Sequence, residues 1–220
     1  MNVKLPILAA LAMACALPAH AQSQQPPQQS RLSDPDPRPM RAMDPLDGPA
    51  PELGRKAMAS YGACVADRSP DKARSLLLGD FRTSSYHNGM RTLSENNRDC
   101  YHRRGTMRSP NLMFAGAVAE RLLQIGDRPL NVRLARAASG PAPATYSMTD
   151  QLAQCVVRSA PDETGALLAT AVDTPEEEKA LGALDFVVGR CAQGHKIEMN
   201  PGGLRAILAT AALRNVEAAK

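Results

Sequence analysis

Tryptophan is absent from this chain, and only three phenylalanines and four tyrosines occur among its 220 residues. A series of aromatic platforms for stacking bases is therefore missing, and nucleic acid is not an expected partner. β-Branched and aromatic runs are equally scarce, and no segment reads as a strand or hairpin. Neither CxxC nor CxxCH occurs, so the signatures of a thioredoxin-like redox pair, a zinc ribbon and c-type haem attachment are lacking. There is no Walker loop, dinucleotide fingerprint, HExxH pair, calcium loop or nucleophile elbow. No cofactor and no metal is expected, and no residue is marked as catalytic. The apolar fraction is instead mostly alanine, leucine and methionine, which suits closely packed helices.

Cysteine carries the organisation. Cys64 and Cys100 stand 36 positions apart, as do Cys155 and Cys191, and the second pair follows the first by 91. Val65 and Val156, Pro70-Asp71 and Pro161-Asp162, Leu76-Leu77 and Leu167-Leu168, Thr83 and Thr174, and Ala115 and Ala206 repeat in that register. The pattern reads as two copies of one small unit, closed by Cys64–Cys100 and by Cys155–Cys191. Other pairings of the four cysteines are conceivable, but duplicated units keep their internal bonds. On the loop-entropy account each bond stabilises its unit by about 3–4 kcal/mol. For a unit of roughly 65 residues with a small core, that is a large share.

Residues 1–21 read as an export signal. Lys4 gives a basic start, Leu5 to Leu17 an apolar run, and Ala19-His20-Ala21 a cleavage site before Gln22. The run is too short to span a bilayer. Lipidation at Cys15 is the rival reading, weakened because Leu11-Ala12-Met13-Ala14 lacks a bulky aliphatic three positions before the cysteine. A periplasmic or secreted location follows, where disulfides persist. Residues 22–51 form a Gln/Pro-rich tether, expected to be disordered, in which Pro35, Pro37, Pro39, Pro45, Pro49 and Pro51 interrupt any helix.

The expected fold is all-α: two tandem homologous, disulfide-closed units of about four helices, packed as one pseudo-symmetric body. The first covers 52–125, the second 146–220, and 126–145 is a linker with a brief helix at 131–138 and a break at Gly140-Pro141. Ser69-Pro70-Asp71 and Thr174-Pro175-Glu176-Glu177 read as helix starts, the latter as a capping box in which Glu177 reaches back to Thr174. Asn200-Pro201 starts the last helix, and Gly202-Gly203 beside it reads as turn geometry rather than an anion nest.

The candidate binding residues are Arg98, His102, Arg103, Arg104 and Arg108, gathered around a half-cystine that fixes their position. Arginine presents a rigid donor fork for carboxylate or phosphate. His87, His102, Glu95 and Asp99 match no metal-ligand spacing, and Ser84 and Ser85 near His87 imply no triad. The two units also differ in charge. Residues 55–125 hold 12 Lys or Arg against 6 Asp or Glu, and residues 146–216 hold 6 against 9. The first unit is thus matched to the second, or to an anionic membrane surface, polysaccharide or acidic protein.

These features imply a non-catalytic module that binds a protein or an anionic envelope component. A small envelope-directed hydrolase is the alternative. Lysozyme-like glycan cleavage would need two carboxylates across a cleft, for which Glu95 and Glu120 are the first unit's candidates. A purely structural envelope protein is the third reading.

Overall fold

The computed structural model describes residues 52–101, 109, 111–195 and 198–220. The expected signal and tether (1–51) lie outside them. All described residues fall within one compact unit. The elements are α1 (Glu52–Arg68), α2 (Pro70–Leu77), α3 (Ser84–Asn96), a 3-10 turn (Arg98–Cys100), α4 (Asn111–Gln124), α5 (Leu130–Ala138), α6 (Met148–Ser159), α7 (Pro161–Ala169), α8 (Pro175–Cys191) and α9 (Pro201–Ala218). The fold is all-α among the described residues.

Local chemistry explains the helix starts. The Thr83 and Thr174 hydroxyls each accept the backbone N–H three residues on, at 3.2 Å, opening α3 and α8. Asn200 does the same for Gly203 at 2.7 Å, which engages one glycine N–H of the Gly202-Gly203 pair. Proline occupies the first turn of α2, α7, α8 and α9, where its missing N–H costs nothing. Two expectations fail in detail. The Ser69 hydroxyl makes no capping bond to α2 and instead faces Asn97, whose amide donates to it at 3.3 Å. Glu177 does not reach back to Thr174; its carboxylate accepts the N–H of Asp173 at 2.8 Å. Asp173 has φ of 58°, a left-handed geometry that aspartate tolerates better than most residues.

α9 is the centre of the body. From Gly202 to Val216 every residue except Leu204 and Thr210 is buried. Its alanines allow close approach, and α4 packs along it. Where α4 and α9 cross, a Cβ on Gly116 would stand 2.6 Å from Ala206 Cα. α1 lies on the other side of α4 with a similarly tight crossing, since a Cβ on Gly62 would come within 2.8 Å of the Ala117 carbonyl carbon. Met90, Val65, Val118, Leu122, Leu167, Leu184 and Leu208 fill one continuous core.

The disulfides are Cys64–Cys100 and Cys155–Cys191, so they delimit two helical sub-regions. The first ties α1 to the 3-10 turn, and the second ties α6 to the end of α8. Removing either by paired serine substitution is expected to lower stability by about 3–4 kcal/mol. Non-reducing peptide mapping should recover those two links; a link from one sub-region to the other would contradict the structure.

The segment read as a linker is built into the body. α5 packs on α6, α7 and α9, with Leu134 and Ala137 buried. Arg158 of α6 holds its end by donating to the carbonyls of Ala137, Ala138 and Gly140 at 2.8–3.0 Å. No helix of the described residues is long and apolar enough to cross a membrane.

Candidate functional site

Two places where the sub-regions meet carry most of the polar chemistry. At the first, the start of α1 faces the α7–α8 loop and α9. Arg55 donates to Asp173 at 2.5 Å and, through both terminal nitrogens, to Glu177 at 2.6 and 2.9 Å. Glu177 also accepts from Arg205 at 3.2 Å. Arg205 donates to both oxygens of Glu120 at 2.8 and 2.9 Å, and to Thr170. Arg205 and Glu177 are nearly inaccessible, with 4% of each side chain exposed. α9 places Arg205 in the interior, where an unpaired guanidinium would be costly, and its partners come from α4 (Glu120), the end of α7 (Thr170) and α8 (Glu177).

This cluster governs titration. Burial pushes the Glu177 carboxyl up, but the Arg55 hydrogen bonds, the Asp173 N–H and the charges of Arg55 and Arg205 outweigh it and hold Glu177 below the usual carboxylate range. Arg55 is opposed by burial and raised by the same pair of carboxylates. Above the cluster lies a cleft of about 530 Å³, lined by Met58, Ala59, Ala63, Met113 and Ala117 with Lys56 and Arg121 among its polar residues.

The second meeting place is aromatic. Tyr146, just before α6, takes the Phe81 ring edge-on at 5.8 Å. Arg214 and Arg82 lie over the Tyr146 ring at 4.7 and 5.4 Å. Arg214 is fixed by Asp150, both of whose oxygens it reaches at 2.9 Å, and by the Ala144 carbonyl. Arg82 is bound in turn by Asp80, whose carboxyl is drawn down to about 2 by the Arg82 side chain and then by its N–H. A cavity of about 260 Å³ opens beside this lock between Leu77, Phe81, Leu112 and Ile207. Tyr86 lines it, and burial pushes its hydroxyl up to about 12.

The two meeting places share a spacing. Arg55 and Tyr146 are 91 residues apart, and so are Arg82 and Asp173. One contact is an ion pair and the other a cation–ring contact.

The expected binding residues are only partly visible. Arg98 is exposed on the 3-10 turn that Cys100 anchors to α1, and neighbouring Asp99 pairs with Arg68 at 3.6 Å. His102, Arg103, Arg104 and Arg108 lie outside the described residues. Tyr101 packs against the core. Glu95 and Glu120 line different cavities, and Glu120 is engaged by Arg205. His87 Nδ1 meets the Asn111 amide at 3.1 Å; among the described residues no group of three His, Cys, Asp or Glu side chains is placed to hold a metal.

Glu177 and Arg205, the hub of the ionic cluster, were not among the expected site residues. The single available signal was their charge, 91 positions after Tyr86 and Phe114. Comparison with family models, with curated proteins and with solved structures returns no match.

Proposed function

We propose that the chain is an exported, duplicated helical module that binds a protein or an anionic envelope component and catalyses no reaction. The observation that carries this reading is the state of the carboxylates in and beneath the cleft of about 530 Å³ that lies above the ionic cluster. Glu120, Asp173 and Glu177 are each bound to arginine, and Glu177 is held below the usual range. A general acid for glycan cleavage needs a carboxyl raised toward neutrality, in a site that leaves it accessible. The ionic groups here instead join the sub-regions.

Duplication is supported by the starts of the helices. α2 and α7 begin 91 residues apart, as do α3 and α8, each of the latter behind a capping threonine. Export is supported by the two disulfides, which persist in an oxidising space. Binding is assigned to the basic segment from Arg98 to Arg108, anchored at Cys100 on one side and leading to α4 on the other.

The test is retention of partners from an envelope extract on immobilised mature protein, at low and moderate salt. Wild type should retain one protein or glycan selectively at low salt, and less at moderate salt. An Arg103→Glu/Arg104→Glu variant should lose it. Retention that is indifferent to both salt and the variant would remove the basic segment from the reading. No retention at either salt would count against binding itself.

A further inference from the structure

We propose that the cavity of about 260 Å³ beside the aromatic lock binds a small neutral apolar molecule with one hydrogen-bond-accepting oxygen, such as an aryl or alkyl ketone. This goes beyond the basic segment after Cys100 and uses a different part of the molecule. The walls are Leu77, Phe81, Leu112, Ala115 and Ile207. Leu77, Ala115 and Ile207 are buried, while Leu112 and His87 are exposed and mark the mouth. A dry apolar cavity of about 150 Å³ takes a benzene ring, so this one has room for a ring and a short side group.

One polar side chain of the lining is unbonded. Tyr86 is 8% exposed, and its hydroxyl has no hydrogen-bond partner among the described residues. Tyr61, buried to a similar degree, donates to the Ser94 carbonyl. Tyr86 also borders the cleft between α2 and α3, but Arg214, whose charge reaches the hydroxyl, lines this cavity and not that cleft. The hydroxyl is therefore on the cavity side. A buried hydroxyl left without a partner costs stability, and a ligand oxygen at this place removes that cost.

The rest of the lining sets the class of ligand. His87 meets Asn111, Thr149 meets Ser147, and Thr210 donates to the Ala206 and Ile207 carbonyls. Water therefore finds few open partners here. Arg214 and Asp150, the charged lining residues, hold each other at 2.9 Å. A carboxylate brought in beside them would meet Asp150 and lose its hydration, with no unpaired guanidinium or ammonium in the lining to compensate. A neutral ligand avoids both costs. The apolar walls take its body, and the Tyr86 O–H donates to its oxygen.

Acetophenone, ethylbenzene and benzoate, each titrated into the mature chain and followed by backbone amide NMR shifts, test this. Acetophenone should bind with millimolar affinity or tighter, within the range open to a molecule of its size, and move the amides of Tyr86, Ala115 and Ile207. Benzoate should bind at least about tenfold more weakly. Tyr86→Phe should lower the affinity for acetophenone relative to ethylbenzene at least about threefold, since only the ketone uses the hydroxyl. Without ligand the same variant should melt no lower than wild type, because it removes an unbonded buried hydroxyl. No saturable binding of acetophenone would overturn the proposal, and so would benzoate binding as tightly as acetophenone. An affinity ratio that Tyr86→Phe leaves unchanged would overturn it too. So would a variant that melts lower, which would give the hydroxyl a structural partner.

Discussion

Replacing Glu177 with alanine should lower the unfolding free energy by about 3–5 kcal/mol, the range for removing one partner from a buried ion pair. In a folded body of this size that corresponds to roughly 6–20 °C in Tm. The magnitude comes from what is left behind. Arg205 keeps Glu120 but loses its second carboxylate, and Arg55 is left with Asp173 alone. The Asp173 N–H also loses its acceptor at a backbone with φ of 58°. Glu177→Gln should cost less, because an amide oxygen can still accept from Asp173 and from one arginine.

The pH dependence has a definite sign. Glu177 is depressed in the folded state, so its contribution is present above the unfolded carboxylate value and is lost as pH falls through the folded value. The gap between wild type and Glu177→Gln should be widest near neutrality and close at pH values below the usual carboxylate range. Thermal melts of both proteins from neutral to strongly acidic pH check this. A gap independent of pH would show that the charge of Glu177 is not what stabilises the cluster.

Gly116→Val should be the most disruptive substitution in the α4–α9 crossing. The added Cβ alone would lie 2.6 Å from both Ala206 Cα and Ala206 Cβ, and 3.2 Å from the Ala206 carbonyl oxygen. Backbone cannot swing aside as a long side chain would, so the helices must part. Overpacking typically costs 1–3 kcal/mol, and this site should lie at or above the top, about 3 kcal/mol. Gly182→Ala on α8 is the matched control, since nothing lies within 4 Å of its added Cβ. Helix propensity alone should make that change slightly stabilising, by up to about 1 kcal/mol. Chemical denaturation of the two variants reads both effects. Equal stability of Gly116→Val and wild type would mean that the crossing is looser than described.

Much of the fold was legible because it rests on short-range chemistry. Proline after a capping residue marks the starts of α8 and α9. The equal spacing of the cysteines singled out the two bonds that the structure contains. Some details were not legible. Leu78 and Leu112 are apolar yet more than a third exposed, because α2 ends at Leu77 and α4 turns Leu112 outward. α5 read as part of a linker because periodicity cannot say what a nine-residue helix will pack against. The ionic cluster was hidden for a related reason. Arg55, Glu120, Glu177 and Arg205 are far apart in sequence, and each resembles an ordinary surface charge until the helices meet. The Thr174 start signal was read correctly as a cap, while the role of Glu177 depended on a loop geometry that no local pattern specifies.

The two disulfide-closed sub-regions form one body, joined by the α4–α9 crossing and by the contacts of Arg55 with Asp173 and of Tyr146 with Arg82. Hydrogen exchange across a guanidinium series tests that most directly, with peptides from α1 and α4 followed separately from those of α6 and α9. Both sets should lose their strongest protection at the same denaturant concentration, and Glu177→Ala should lower that midpoint for both together. Two distinct midpoints, with the variant moving only the α6–α9 set, would show two independent modules and contradict the account.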